Sequence, residues 1–86
     1  MPEWKFVIDD RVFEIFNSKP KAQRMLLWKA FETLRAEPMR EGRWMSHDEF
    51  GRDVDVAIFG PFMVHFWSDI AAKEVRIVNV IPVPRG

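Results

Sequence analysis

Two histidines and several arginines give this chain of 86 residues the types of side chain that RNA cleavage without a metal ion requires. Such cleavage needs a base for the 2′-hydroxyl proton, an acid for the leaving oxygen and cations that stabilise the charge on the phosphate. His65 and His47 are the candidate base and acid, and Arg52 and Arg76 are the candidate catalytic cations. The question is whether the fold brings these four side chains to one surface.

Four further residues are candidates for holding an RNA strand, namely Arg43, Trp44, Trp67 and Arg85. Arginine pairs with phosphate groups, and tryptophan stacks on unpaired bases. The chain as a whole has 13 basic and 13 acidic residues, whereas the segment 19–52 has eight basic and five acidic residues. A local basic surface and an ordinary mixed surface are both compatible with this distribution.

The stretch RDVDVAIFGPFMVHFWSD, residues 52–69, predicts two strands that turn at Gly60 and Pro61, because apolar and polar residues alternate on both sides of that pair. A three-residue loop would pair Ile58 with Phe62 across the hairpin. We expect one face of the hairpin to pack against helices; it consists of Val54, Val56, Ile58, Phe62, Val64 and Phe66.

The other face of this hairpin carries His65 and Trp67. The expected pairing places Asp55 opposite His65 and Asp53 opposite Trp67. His65 is then either a half-buried partner of Asp55 or a catalytic base. Arg76 of the last strand is either the ion-pair partner of one of these aspartates or a phosphate ligand.

The remaining elements complete a two-layer arrangement. WKFVI predicts a first strand, RVFEIF a short helix, and Leu26 to Leu34 an apolar stripe on a longer helix that ends before Pro38. GRWMSH is a candidate short strand, and VRIVNVIPV predicts the last strand. The order predicts an α+β two-layer sandwich over residues 1–86: an N-terminal strand, a helical hairpin, and a three- to four-stranded antiparallel sheet.

Met25 and Trp28 lie at the flank of the apolar stripe of the longer helix. Either Trp28 folds onto the edge of the core, or the two side chains are exposed for a partner chain, since Met and Trp are enriched at interfaces.

Several classes of site have little support. The chain has no cysteine, and His47, Asp48 and Glu49 lack a recognised metal-ligand spacing, so we expect no metal and no cofactor. No glycine-rich phosphate loop is present. No segment reaches the roughly 20 apolar residues of a membrane span, and the N-terminus does not resemble a signal peptide, so we expect a cytoplasmic protein without membrane contact.

Three pieces of the chain together, AFETLRAEP, GRDVDVAIFGPFMVHFW and EVRIVNVIPV, resemble the RelE/ParE superfamily of bacterial toxins over almost the whole length. The resemblance implies the toxin of a type II toxin–antitoxin module, with a role in growth inhibition and plasmid stabilization. It implies a cognate antitoxin as partner, either the ribosome with its messenger RNA or DNA gyrase as target, and a possible homodimer through the helical hairpin.

The sequence also departs from the RelE branch of that superfamily. Met63 stands where that branch often has an arginine after the hairpin glycine, and the preceding strand carries Asp53 and Asp55 instead of arginines. The C-terminal VIPVPRG has no late tyrosine or histidine. These departures motivate the alternative of a catalytically inactive, protein-binding module on the same fold, beside that of a ribosome-dependent mRNA endonuclease.

Overall fold

The computed structural model describes residues 3–48 and 50–84. Arg85 and Glu49 therefore lie outside the described residues. The predicted elements all form, with the candidate strand at GRWMSH included, and the α+β class is confirmed. The elements are β1 (Lys5–Ile8), α1 (Asp10–Asn17), α2 (Lys21–Ala36), β2 (Trp44–His47), β3 (Asp53–Phe59), β4 (Phe62–Asp69) and β5 (Glu74–Pro82).

The strands form a five-stranded mixed sheet in the order β1-β5-β4-β3-β2. Strands β2 to β5 pair antiparallel, as strands joined by short turns do. Strand β1 pairs in parallel with β5, with Lys5 beside Glu74 and Ile8 beside Ile77. The connection between this parallel pair contains the helical hairpin and strands β2 to β4, and so exceeds the dozen or more residues that a parallel connection needs.

The core lies between the two helices and one face of the sheet. Helix α2 buries Leu27, Ala30, Phe31 and Leu34, which recur at helical spacing. The sheet side of the same cluster consists of Ala57, Phe62, Val64, Phe66, Val75, Ile77 and Val80, and Val12 of α1 completes the buried set. Each large buried side chain contributes roughly 1.5–3 kcal/mol, so this cluster supplies most of the stability.

The expected facing of strand β3 is wrong, and the length of the turn explains why. Gly60 and Pro61 alone form the turn, and Phe59 pairs with Phe62. Gly60 has φ +58, which suits the first central position of a two-residue type II′ turn. A one-residue change of register exchanges the two faces of a strand. Ala57 therefore lies opposite Val64 on the helix side, while Val56 lies opposite His65 on the other side.

Strand β3 is thus buried on both faces over part of its length. Val54 and Val56, expected against the helices, are 1% and 0% exposed, but they lie outside the helix-side cluster. Ile58 shares their face and is half-buried. Burial of these residues was therefore predicted correctly, whereas their direction was not. Within the described residues, no helix is long and apolar enough to span a membrane.

Candidate functional site

The face of the sheet that the helices leave uncovered contains a pocket with both histidines. We call it the histidine pocket; its volume is about 660 Å³, within the range typical of small-ligand sites. It crosses the sheet from β2 to β5, because Ser46, Val54, His65 and Asn79 lie on four adjacent strands. The full lining consists of Ile8, Asp9, Asp10, Arg11, Ser46, His47, Asp48, Phe50, Val54, His65, Val78, Asn79 and Ile81.

His65 is half-buried in this pocket, and its surroundings disfavour the charged imidazole. Desolvation by burial lowers the pKa of His65 below the usual 6.5, so the ring is neutral at pH 7. Its Nε2 atom is buried and has no hydrogen-bond partner among the described residues. Buried polar atoms without a partner are rare in folded proteins. Because Nε2 is covered, Nδ1 is the ring nitrogen that can meet a ligand.

Asp55 is not the partner of His65, contrary to one of the two interpretations of the sequence. Asp55 lies opposite Phe66, so its side chain and that of His65 project from opposite faces of the sheet. The carboxylate of Asp55 accepts a hydrogen bond from the backbone N–H of Gly42 at 3.3 Å. The structural pairing that the sequence suggested for His65 is thus absent.

His47 reaches the same pocket from strand β2, where it pairs with Asp53 of β3. Its Nδ1 lies 2.9 Å from Oδ1 of Asp53, and both side chains are largely exposed. A carboxylate at Nδ1 fixes the orientation of the ring and leaves Nε2 for other partners. The lining of the pocket therefore includes two different histidines. His65 is neutral and partly buried on the uncovered face, whereas His47 is exposed at the rim, and its strand partner Asp53 shares the face of Asp55.

A second pocket adjoins the first and contains the two candidate catalytic arginines. We call it the arginine pocket; it measures about 370 Å³ and shares Asp9, Asp48, Phe50 and Val78 with the histidine pocket. Its own residues are Arg52, Trp67, Asp69 and Arg76. The guanidinium carbons of Arg52 and Arg76 lie 4.2 and 5.8 Å from the centre of the Trp67 ring.

The register of β4 and β5 explains why Trp67 and Arg76 lie together in the arginine pocket. Trp67 lies directly opposite Arg76 of β5. On its other side, the register that pairs Asp55 with Phe66 excludes the expected pairing of Trp67 with Asp53. The expected ion pair of Arg76 with Asp53 or Asp55 does not form; instead its Nη2 lies 3.4 Å from Oε1 of Glu74. Lys5 contacts the other oxygen of Glu74 at 3.5 Å.

The turn between β2 and β3 positions Arg52. One carboxylate oxygen of Asp48 accepts hydrogen bonds from the backbone N–H groups of Phe50 and Arg52, at 2.9 and 2.8 Å. Gly51 between them has φ +79, a conformation that glycine adopts without strain. Among the described residues, Arg52 makes no ion pair, so its N–H groups remain available to an anion.

Two features of the pockets were not found from the sequence. The register between β4 and β5 shifts between His65 and Phe66, because Val78 is an extra residue on β5, and this shift brings Asn79 opposite His65. Bulges of this kind commonly re-aim side chains beside functional sites. The polar Asn79 within the apolar VRIVNVIPV was the available signal. Phe50, 85% exposed, lines both pockets.

Two of the predicted RNA-binding residues, Arg43 and Trp44, do not line either pocket. Trp44 lies at the start of the edge strand β2 and is 44% exposed. Arg43 precedes it and bonds through its backbone N–H to Val56. Among residues 3–48 and 50–84, no group of three or more His, Cys, Asp or Glu side chains is arranged to hold a metal ion.

The helix layer carries a separate apolar groove at the predicted partner-binding residues. Met25 and Trp28 are 58% and 48% exposed. The Trp28 ring packs edge-on against Phe6, with centroids 5.1 Å apart, so it covers the core edge and remains accessible. The groove, about 390 Å³, is lined by Phe16, Lys21, Arg24, Met25, Trp28, Lys29 and Glu32.

Comparison with known proteins identifies the fold. No protein-family model matches the sequence, and no curated protein matches it. Among solved structures, the chain is similar to one in the archaeal RelE–RelB complex from Pyrococcus horikoshii OT3, with a TM-score of 0.74 and 20% sequence identity over the full length of both chains. The fold is therefore that of RelE.

Proposed function

We propose that this protein is the toxin component of a type II toxin–antitoxin module and that it acts on translation by cleaving messenger RNA. The observation that carries the proposal is the adjacency of the two pockets on the uncovered sheet face. One contains His47 and His65, and the other contains Arg52 and Arg76. The likeness to a chain of a RelE–RelB complex supports the same assignment.

The cleavage follows from what each group can do. Neutral His65 takes the proton of a ribose 2′-hydroxyl through Nδ1, since Nε2 is buried, and the resulting oxygen attacks the adjacent phosphorus. The bond from phosphorus to the 5′-oxygen breaks, and His47, oriented by Asp53, donates a proton to that oxygen. Arg52 and Arg76 stabilise the extra negative charge on the phosphate. The products are a 2′,3′-cyclic phosphate and a 5′-hydroxyl end.

The partner in this proposal is a cognate antitoxin that occupies the groove around Met25 and Trp28. Lys21, Arg24 and Lys29 outnumber Glu32 on the groove lining, so charge complementarity favours an acidic, amphipathic segment. Exposed Met and Trp side chains supply the apolar contact of such an interface.

A second candidate is a protein-binding module without catalysis. Three carboxylates, those of Asp9, Asp48 and Asp69, line the arginine pocket together with the two arginines. They reduce the positive potential that attracts RNA. This candidate predicts that the antitoxin complex forms while RNA stays intact.

An RNA cleavage assay separates the two candidates. The purified protein is added to translating ribosomes, and the messenger is mapped for new ends. The proposal predicts cleavage with cyclic phosphate ends, loss of cleavage in His65→Leu, and resistance of a messenger with 2′-deoxyribose at the cut position. Arg35→Ala is the matched control, since Arg35 lies on α2 and its ion-pair partner among the described residues is Glu32, at 3.9 Å. Intact messenger with the wild-type protein would contradict the proposal.

A further inference from the structure

The environment of Trp67 differs from that of an exposed tryptophan whose ring is free to stack on an RNA base. Its side chain is half-buried on β4, and two guanidinium groups already lie over its ring, at 4.2 and 5.8 Å from the centroid. The two arginines come from different places in the sequence, Arg52 from the β2–β3 turn and Arg76 from β5. Contacts of this kind are attractive through the ring quadrupole and through stacking.

We propose that Trp67 is a positioning residue: its indole ring holds Arg52 and Arg76 as a pair that binds the phosphates of single-stranded RNA, and it does not stack on a base. This inference rests on the proposed function and names how the same site recognises its substrate. Arg52, Trp67 and Arg76 are called the arginine clamp below.

The clamp works by fixing two flexible side chains before the substrate arrives. A free arginine loses rotamer freedom when it binds a phosphate, and that loss weakens binding. A guanidinium that lies over an aromatic ring keeps its N–H groups free for bidentate contact with phosphate oxygens.

Each arginine also has a second support. Asp48 fixes the backbone of Arg52 through two hydrogen bonds to the turn. Glu74 contacts Arg76 at 3.4 Å and is itself only 15% exposed. Asp48 and Glu74 each support one arginine, whereas Trp67 contacts both arginines.

Two of the three carboxylates nearby are already engaged. Asp48 accepts the backbone N–H groups of its own turn, and Asp69 accepts the N–H of Ala72 at 3.1 Å. Asp9 is at the N-cap position of α1, where the helix dipole favours negative charge. These contacts leave the guanidinium of Arg52, together with the N–H groups of Arg76 that do not face Glu74, as the donors for an incoming phosphate.

The test is the salt dependence of RNA binding. The probe is a fluorescein-labelled oligouridylate with 2′-O-methyl riboses, which binds but cannot be cleaved, and anisotropy gives Kd over a series of KCl concentrations. Each lost phosphate contact lowers the slope of log Kd against log salt by about 0.7 for a single strand. Arg52→Ala and Arg76→Ala are each expected to lower the slope by that amount.

Trp67→Leu decides between positioning and stacking, because it removes no charge. The proposal predicts that it lowers the slope as an arginine variant does, and that Trp67→Phe restores the wild-type slope. It also predicts that Trp67→Leu lowers the slope by as much with an abasic probe as with the oligouridylate. An unchanged slope, or a loss that disappears with the abasic probe, would overturn it and indicate base stacking.

The proposed function can fail separately from the clamp. Wild-type protein that binds no RNA probe would overturn the clamp, whereas the proposed function is decided by the cleavage assay on translating ribosomes. The clamp alone would be overturned if the slope of log Kd against log salt fell in the two arginine variants but stayed at the wild-type value in Trp67→Leu. Arg35→Ala on α2 is again the control, and its slope is expected to equal that of the wild type.

Discussion

Replacing His65 by leucine is expected to abolish RNA cleavage without lowering the stability of the fold. Nε2 of His65 is buried with no partner among the described residues. An unsatisfied buried polar atom costs about 1–3 kcal/mol, and an apolar replacement removes that cost. The ring lies opposite Val56 and near Val54, so leucine meets an apolar wall there. We expect the free energy of unfolding at pH 7 to be unchanged or to rise by about 1–2 kcal/mol.

The pH dependence of stability provides the second half of the same prediction. Burial lowers the pKa of His65 in the folded protein below 6.5, so the unfolded chain binds this proton first as the pH falls. The stability is therefore fully present above pH 6.5 and decreases below it, by at most about 1.4 kcal/mol per pH unit for one proton. His65→Leu is expected to remove this decrease.

Urea titrations of wild type, His65→Leu and His47→Asn at a series of pH values between 7.5 and 5.5 measure both effects. His47 is the matched control because its side chain is 71% exposed. The reasoning would be refuted if His65→Leu lost more than about 1 kcal/mol at pH 7. It would equally fail if the wild type and His65→Leu declined in parallel below pH 6.5.

Three further predictions concern the fold and the partner groove. Gly60→Ala is expected to cost about 1–2 kcal/mol from its φ of +58, plus a contact of the new Cβ at 2.8 Å from Leu26. Gly51→Ala also places alanine at a positive φ, but nothing lies within 4 Å of its new Cβ. Parallel urea titrations of the two variants therefore separate the free-energy cost of the backbone conformation from that of the contact with Leu26. Phe31→Ala is expected to cost about 3–5 kcal/mol, and a smaller loss by the same measurement would argue against the core as described. Met25→Glu is expected to weaken binding of acidic amphipathic peptides, selected on the wild type from a displayed library, about tenfold or more. Equal binding would place the partner elsewhere, and a loss of dimer on gel filtration would identify a second copy of this chain instead.

The class of fold was accessible from the sequence because the helical and alternating periods are strong. The stripe from Leu26 to Leu34 and the short β-rich segments favour helices packed on one face of a sheet. The parallel pairing of β1 with β5 was not predicted. The facing of β3 was not accessible, because Val54, Val56 and Ala57 are all buried and the alternation fails there. Only the two-residue turn at Gly60 and Pro61 fixes the register, and the sequence also allowed a longer loop.

The grouping of the candidate site residues was accessible from the sequence in part, while their roles stay predictions. His47, His65, Arg52 and Arg76 were selected by chemistry, and the structure brings them to adjoining pockets. Their pairing partners were mispredicted, because the partners depend on the register of β3 and on the bulge at His65.

The central claim is that the uncovered sheet face stops translation by cutting RNA. Its most direct test is expression of the protein alone in a bacterium, with pulse labelling of protein and DNA synthesis in parallel for the wild type and the Arg52→Ala, Arg76→Ala double variant. The account predicts that amino-acid incorporation falls before thymidine incorporation in the wild type and that the double variant leaves both unchanged. An earlier fall in thymidine incorporation would contradict it and point to DNA gyrase, and no change in either would point to a binding module.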